Sequence, residues 1–210
     1  MLVKDVMNSP VLTVEGQVSL EAAYHQMLRH NIRHIPVVEA GRLVGMITDR
    51  DIRLATSPFA PEGARPVQTP VREVMSRPVL TADPLDPVEE AARIMRERKI
   101  GALPVVEEGR VVGIVTGIDL LDALLRLTGV QKPSGRLEVA LDDRPGELAR
   151  LCTAIAQKNI NIHSLLTYPM GKEQVNSVVR VDTPETRRLA QALRQQGFRV
   201  HWPPEIPGKP

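Results

Sequence analysis

The chain has 210 residues, of which 42% are hydrophobic and 25% charged, and its formal net charge is +2. This length and composition are typical of a globular protein with two modest domains, each with its own core. Aromatic residues make up only 2%, and the lysines and arginines are not clustered, so neither stacking surfaces nor basic patches for nucleic acid are expected. The single cysteine, Cys152, excludes an intrachain disulfide, and its place on an apolar helical face indicates a small buried side chain rather than a nucleophile.

The start of the chain and its apolar stretches bear on where the protein resides. Residues 1–5 lack the apolar core of a signal peptide. No stretch approaches the length of a membrane-spanning helix, because Asp119 and Asp122 interrupt the longest apolar run. We therefore expect a cytoplasmic protein without a membrane partner.

The first 55 residues recur 68 positions later without a gap. Aligning residues 3–55 with residues 71–123 gives 22 identical pairs out of 53. Two copies of this length are too few and too long for a solenoid of short units. They indicate a duplicated half-domain, with copies at 1–60 and 61–130 and two clefts between them. Clefts of this kind are where small ligands usually bind.

Each copy predicts a short entry segment, a strand, a helix, two strands and a second helix. Ser19 is the expected cap of the first helix. In the second copy, Asp86 is the expected cap of a helix that begins at Pro87. The dipeptides Ala40-Gly41 and Glu108-Gly109, each between two apolar runs, predict tight hairpins.

Two connectors separate the predicted units. Residues 56–70 contain four prolines and are expected to be irregular and stiff, and residues 131–135 form a short linker. Residues 136–202 then predict the order βαββαβ, which gives a four-stranded antiparallel sheet with two helices on one face. Thr183 is the expected cap of the second of these helices, and residues 203–210 are expected to form a flexible tail.

Both copies end in the motif Gly-apolar-apolar-Thr-x-x-Asp. It contains Thr48 and Asp51 in the first copy, and Thr116 and Asp119 in the second. The spacing fits a plain helix cap, in which the threonine caps the helix and the acid lies three residues further on. It also fits a ligand site, where the carboxylate accepts hydrogen bonds from the vicinal hydroxyls of a ribose and the threonine lies near a phosphate. The residues alone leave both interpretations open.

With these features, two parts of the sequence resemble known protein families. Residues 1–125 resemble a tandem pair of cystathionine β-synthase (CBS) domains, a Bateman module, because both in-register copies have a Pro-Val-Val strand and end in this motif. Residues 136–201, with Asp-Arg-Pro-Gly-x-Leu and Asn-Ile-Asn-Ile, resemble an ACT domain. The resemblance implies a mixed α/β and α+β fold, in which a pseudo-symmetric CBS-domain pair is followed by a βαββαβ ferredoxin-like ACT domain. This domain order is similar to that of acetoin-utilisation proteins.

The CBS resemblance implies a regulatory ligand and no catalytic cofactor. The ligand would be an adenine nucleotide (AMP, ADP or ATP) or S-adenosylmethionine. Asp51 and Asp119 would bind riboses, and Thr48 and Thr116 would lie near phosphates. The positions that the resemblance places around the base are Thr13 and Thr81, largely through their backbone, and the dipeptides Ile35-Pro36 and Leu103-Pro104.

The two copies differ at three positions that could contact a phosphate. They are Arg33, His34 and Arg50 in the first copy, and Gly101, Ala102 and Ile118 in the second. We therefore expect one cleft to favour an anionic nucleotide, and the other to be weak, empty or selective for a less charged ligand. Which cleft is which stays open, since phosphates in such modules can reach across to the opposite repeat. For His34, a phosphate donor and a surface histidine are equal alternatives.

Three residues of the ACT-like part are candidate ligand contacts. Gly146 lies at a strand-to-helix turn, where the missing side chain lets the backbone approach a ligand or a partner, although a turn glycine without a ligand explains it as well. The resemblance adds Asp143 and Asn161, at an interface between paired domains that binds an amino acid or another small metabolite. A carboxylate at 143 departs from the amide of serine-binding members and would repel the carboxylate of an amino acid, which argues against such binding.

These observations predict a non-enzymatic ligand sensor that forms a homodimer and signals to an unidentified metabolic protein. A role in acetoin or acetate metabolism is implied by the resemblance alone. One alternative is a structural adaptor whose clefts bind nothing, and another is an enzyme acting on nucleotides or acetyl-derived metabolites. Against an enzyme, the sequence has no nucleophile–base pair and no phosphate-binding loop. The five histidines are scattered without metal-ligand spacing, so no metal site is expected.

Overall fold

The structure is a computed structural model that describes residues 1–61 and 63–205. The chain divides into two compact units, Met1–Ala123 and the part from Leu124 onward. Both units mix helices and strands, in the element order that the two resemblances imply, which confirms the predicted fold class.

The first unit contains both sequence repeats around one five-stranded sheet. Its strands are β1 (Val14–Glu15), β2 (His34–Glu39), β3 (Arg42–Thr48), β4 (Ala102–Glu107) and β5 (Arg110–Thr116), in the spatial order β1-β2-β3-β5-β4. Its helices are α1 (Leu20–His30), α2 (Asp49–Ala55) and α3 (Val88–Arg98), and α4 (Gly117–Leu127) begins in it. The first strand predicted for the second copy is reduced to a single parallel bridge between Ala82 and Val105.

Both predicted hairpins are confirmed, and each turns on two residues with positive φ. The φ angles are 49° and 76° in Ala40-Gly41, and 49° and 79° in Glu108-Gly109. Such turns twist in the same sense as the strands that they connect. The two hairpins meet where Arg42 pairs with Arg110, so β3 and β5 join them into one sheet.

The entry segments of the two repeats are exchanged. Val3, at the start of the first copy, is fully buried in the core of the second copy, together with Leu103. Val71 and Met75, at the start of the second copy, are buried in the core of the first copy, together with Ile35. Each repeat therefore depends on the other copy for part of its own hydrophobic core. The exchange also brings the residues after each entry segment beside the Thr-x-x-Asp motif of the opposite copy.

The predicted caps of the two long repeat helices have different outcomes. The side chain of Ser19 accepts a hydrogen bond from the backbone N–H of Ala22, at 3.1 Å, so this cap of α1 is confirmed. The expected cap of α3 is wrong, because Pro87 occupies the N-cap position. The Asp86 carboxylate instead accepts a hydrogen bond from the N–H of Asp83, at 2.8 Å, and closes the turn before the helix.

The second unit has the predicted βαββαβ order. Its elements are β6 (Gly135–Asp142), α5 (Glu147–Ala156), β7 (Ile162–Pro169), β8 (Gln174–Val181), α6 (Thr186–Gln195) and β9 (Arg199–Trp202). The sheet is antiparallel throughout, in the order β7-β8-β6-β9. Leu137, Val139 and Leu141 alternate along β6 and are buried in one core with residues of α5 and α6. This alternation, with period two, puts the helices on one face of the sheet.

Some details of the second unit differ from expectation. Thr183 does not cap α6: this helix begins at Thr186, and the Thr183 hydroxyl accepts a hydrogen bond from the N–H of Glu185 in the preceding turn, at 3.2 Å. Cys152 is half-buried rather than buried. In the predicted tail, Pro203 is buried and its carbonyl accepts a hydrogen bond from Arg194, at 2.6 Å. Residues 206–210 of that tail lie outside the described residues.

Candidate functional site

A cleft of about 670 Å³ lies in the first unit, beside the Thr-x-x-Asp motif of the first copy. Its volume falls within the range of small-molecule sites. The first copy contributes the start of β2 and the N-terminal turn of α2, and the second copy contributes two separate segments. The lining residues include Arg33, His34, Thr48, Asp49, Arg50, Asp51 and Arg53 from the first copy, and Ser76, Pro78, Val79, Leu80, Lys99, Ile100 and Gly101 from the second. We call this the Asp51 cleft.

The motif of the first copy forms a capping box. The Thr48 hydroxyl accepts a hydrogen bond from the N–H of Asp51, at 3.1 Å. Oδ2 of Asp51 accepts one hydrogen bond from the N–H of Thr48, at 3.0 Å, and another from its hydroxyl, at 2.7 Å. Within residues 1–61 and 63–205, no protein donor reaches Oδ1 of Asp51. The capping interpretation is therefore correct for this helix, and the cap also holds the carboxylate in place with one oxygen available.

The Asp51 cleft carries more positive than negative charge. Four cationic side chains line it, against two carboxylates. Arg53 is paired with Asp49 at 2.9 Å, whereas no carboxylate of the described residues lies within ion-pair distance of Arg33, Arg50 or Lys99. These three cations are thus available to an anionic ligand.

His34 is half-buried at the start of β2, with the second copy packed against it. An added Cβ on Gly101 would lie only 2.9 Å from Nε2 of His34, so the glycine leaves room for the imidazole. Burial lowers the pKa of His34 below its ordinary value, and the nearby Asp49 and Asp51 carboxylates only partly oppose this. The imidazole is therefore mainly neutral near pH 7, where it can accept or donate a hydrogen bond.

The motif of the second copy has the same cap but different surroundings. Oδ2 of Asp119 accepts hydrogen bonds from the N–H and the hydroxyl of Thr116, both at 2.7 Å. Oδ1 of Asp119 accepts a hydrogen bond from the side-chain amide of Asn8, at 2.9 Å. The positions equivalent to the cations Arg50 and Lys99 are Ile118 and Asn31, whereas Arg33 and Gly101 are equivalent to each other and both line the Asp51 cleft. The two Thr-x-x-Asp sites therefore differ in charge. They also differ in whether Oδ1 of the aspartate already accepts a hydrogen bond from the protein.

The residues expected around the base are not among those that line the Asp51 cleft. Pro36 and Pro104 are buried, and neither is among the residues that line the Asp51 cleft. Thr81 lines a different cavity, of about 900 Å³, next to the two hairpin turns, and Thr13 is half-buried just before β1. Ile35 and Leu103 are fully buried in the two repeat cores and line neither of these two cavities.

Sequence reasoning missed the contributions of the opposite copy to the Asp51 cleft. Ser76 and Lys99 line it, because the exchanged entry segment and the C-cap of α3 belong to the second copy. The local sequence around these residues contains no binding motif. Aligning the two copies could have marked them, since Ser76 and Lys99 stand where the first copy has Asn8 and Asn31.

The candidate residues of the second unit are only partly brought together. Asp143 and Gly146 share the turn between β6 and α5, where Asp143 is exposed and its N–H donates to the carbonyl of Glu173 at 2.9 Å. Gly146 has φ of +94°, which by itself accounts for a glycine at this N-cap. Asn161 is exposed just before β7, and its carbonyl accepts a hydrogen bond from Asp182. No hydrogen bond joins Asn161 to Asp143 or Gly146.

The described part of the chain contains neither a metal-binding cluster nor a helix suited to span a membrane. No group of three or more histidine, cysteine, aspartate or glutamate residues there could hold a metal ion. No helix among the described residues has both the length and the apolar composition that crossing a membrane requires.

Comparison with known proteins identifies both units. The CBS-domain family profile matches residues 3–57 and 71–126, and the ACT-domain profile matches residues 135–198. The CBS domain-containing protein YhcV of Bacillus subtilis is 42% identical over 118 residues, which are 56% of this chain and 81% of that protein.

Two solved structures are similar to the first unit. The CBS domain pair of protein MJ0100, in complex with 5′-methylthioadenosine and S-adenosyl-L-methionine, is 35% identical with a TM-score of 0.54, and the match covers 63% of this chain and 98% of that one. A Vibrio cholerae protein assigned to acetoin utilization (AcuB) is 34% identical with a TM-score of 0.53, with the same coverage of 63% and 98%. The chain therefore belongs to the CBS-domain family, as a tandem CBS pair followed by an ACT domain.

Proposed function

We propose that the protein is a non-enzymatic regulatory sensor whose CBS pair binds an adenosine phosphate in the Asp51 cleft. The observation that carries this proposal is the combination, in one cleft, of a fixed carboxylate with an available oxygen and three available cations. The carboxylate suits the vicinal hydroxyls of a ribose, and the cations suit a phosphate.

The charge of the cleft favours a phosphorylated ligand over S-adenosylmethionine. Arg33, Arg50 and Lys99 would repel a sulfonium cation and attract a phosphate. The MJ0100 CBS pair shows that a related module binds adenosyl compounds, which supports the adenosine part of the ligand. The choice among AMP, ADP and ATP depends on how many phosphates the cations reach.

The construction of the cleft explains how binding could regulate a partner. His34 and Asp51 come from the first copy, whereas Ser76 and Lys99 come from the second. A ligand that contacts both copies binds one arrangement of them better than another, and it shifts the equilibrium toward that arrangement by its difference in affinity. We propose that this shift is transmitted to a metabolic protein, with acetoin or acetate metabolism as the candidate context because of the similarity to the Vibrio cholerae protein. A homodimer and a small-metabolite site at the ACT domain remain parts of this proposal.

Thermal unfolding of the full chain with AMP, ADP, ATP or S-adenosylmethionine tests the proposal. A ligand at a hundred times its dissociation constant stabilises the folded state by about 2.7 kcal/mol, which raises the Tm of a chain of this size by roughly 5–11 °C. We expect this shift with at least one adenosine phosphate, and little shift with S-adenosylmethionine.

Three variants assign the shift to the cleft. Asp51→Asn keeps an acceptor for the Thr48 cap but loses the charge, and should abolish the shift. Arg33→Gly and Arg50→Ile copy the residues of the second repeat and should weaken nucleotide binding. Arg110→Ala, which removes an exposed cation outside this cleft, is the matched control. Absence of any nucleotide effect on verified apo protein would favour the alternative, a structural adaptor whose clefts bind nothing.

A further inference from the structure

The Asn8–Asp119 hydrogen bond links residues from opposite repeats, 111 positions apart in sequence. Asn8 is held firmly at this place. Its N–H donates to the carbonyl of Ile114 at 2.8 Å, and its carbonyl accepts from the N–H of Ile114 at 3.1 Å. The next residue adds a third anchor, because the Ser9 hydroxyl donates to the carbonyl of Val112 at 2.8 Å. The backbone therefore presents the Asn8 amide directly to Oδ1 of Asp119.

The pseudo-symmetric position in the other copy is Ser76. It is anchored in the same way, by backbone hydrogen bonds with Met46 of 2.9 and 3.1 Å, and it lines the Asp51 cleft. The serine side chain is shorter than asparagine and makes no hydrogen bond to Asp51 among the described residues. The same backbone geometry thus leaves one carboxylate oxygen open in the first site and occupied in the second.

We propose that Asn8 is a specificity-determining residue that closes the Asp119 site to ribose, so that each chain binds a single adenosine phosphate, at Asp51. This rests on the function proposed above. A ribose at Asp119 would have to replace the charge-assisted hydrogen bond from Asn8 with one of its own, so little binding free energy would be gained. Ile118 and Asn31 stand where the Asp51 cleft has Arg50 and Lys99, so the second site lacks these two cations for a phosphate. Binding of one ligand then makes the two copies unequal, although the fold is pseudo-symmetric.

Isothermal titration calorimetry of the full chain with adenosine tests this, because adenosine reports on the ribose carboxylate without a phosphate. Wild type should bind one adenosine per chain, and Asp51→Asn should bind none. Asn8→Ser should bind two, and Asn8→Ser combined with Asp51→Asn should bind one, at least about tenfold more tightly than Asp51→Asn alone. Asn8→Ala also frees the Asp119 carboxylate and provides a second test if Asn8→Ser fails to fold. Thermal unfolding establishes that each variant is folded.

The reciprocal exchange provides a second readout with AMP. Ser76→Asn should place an amide against Asp51 and weaken AMP binding at least about tenfold. The proposal is overturned if Asp51→Asn still binds adenosine at Asp119, or if removing Asn8 from folded Asp51→Asn protein restores no adenosine binding. A wild type that binds neither AMP nor adenosine would instead refute the proposed function, and this proposal with it.

Discussion

The packing of the exchanged entry segment can be tested with Gly45→Ala. Gly45 lies in β3, and an added Cβ there would lie 2.7 Å from Cγ of Met75 and 3.1 Å from its Cε, and closer still to its sulfur. Carbon atoms in contact normally lie about 3.5–4.0 Å apart. Met75 is only 9% exposed in the core of the first copy, so its side chain has no solvent-filled space into which it can move.

The expected cost follows from this overlap. Overpacking of a core by one methyl group typically destabilises the folded state by about 1–3 kcal/mol, which for a chain of this length lowers the Tm by roughly 2–12 °C. Met75→Ala alone should cost about 2–5 kcal/mol through the cavity that it leaves. In the double variant the new methyl group of residue 45 fills part of that cavity. The double variant should therefore be destabilised by about 0.5–3 kcal/mol less than the sum of the two single variants.

Calorimetric thermal unfolding of the four proteins of this cycle measures the coupling. The matched control is Gly117→Ala, where the nearest atom to an added Cβ is the carbonyl oxygen of Gly101, at 4.0 Å. This control should unfold at or above the wild-type temperature, because Gly117 does not have a positive φ and alanine at such a glycine position typically stabilises the folded state by about 0.4–1 kcal/mol. A Gly45→Ala protein within about 0.5 kcal/mol of wild type, or an additive double variant, would refute the described packing of Met75 on β3.

Three further predictions concern single side chains. Ser19→Ala loses the hydrogen bond to the N–H of Ala22 and should cost about 1 kcal/mol in thermal unfolding, whereas Ser19→Asp should cost little; equal losses would contradict the capping role. Because burial lowers the pKa of His34, the unfolded chain binds its proton more readily, so stability should fall as the pH drops below about 6.5, and His34→Gln should remove that slope in urea titrations. The Tyr168 hydroxyl donates to the Glu138 carboxylate at 2.7 Å and lowers its pKa, so this stabilisation is present above pH 4.5 and is lost as the pH falls through the folded-state pKa. Glu138→Gln should therefore flatten the acid limb of the stability curve, and an unchanged acid limb would show that this carboxylate contributes nothing.

Features that depend on a few neighbouring residues could be predicted from the sequence. The Ala40-Gly41 hairpin and the Ser19 cap are local, because a turn or a cap is decided by residues two or three positions apart. The Thr48 and Asp51 pair also follows from its spacing, since the capping box needs only one helical turn. Even at this scale a side chain can form a different local hydrogen bond from the predicted one. The Asp86 carboxylate, for example, closes the preceding turn instead of capping α3.

The sequence by itself determined the duplication, the order of elements in the second unit and most of it in the first, and the difference in charge between the two motifs, because these depend on composition and short-range spacing. Only the tertiary structure decided which residues surround each motif. Val3 and Val71 are buried in the cores of opposite copies, so Asn8 reaches Asp119 and Ser76 lines the cleft of Asp51. The aligned copies are equally compatible with entry segments that pack on their own repeat. The choice is made by burial of apolar side chains that are far apart in sequence, such as Val3 with Leu103 and Val71 with Ile35, and a local pattern carries no information about it.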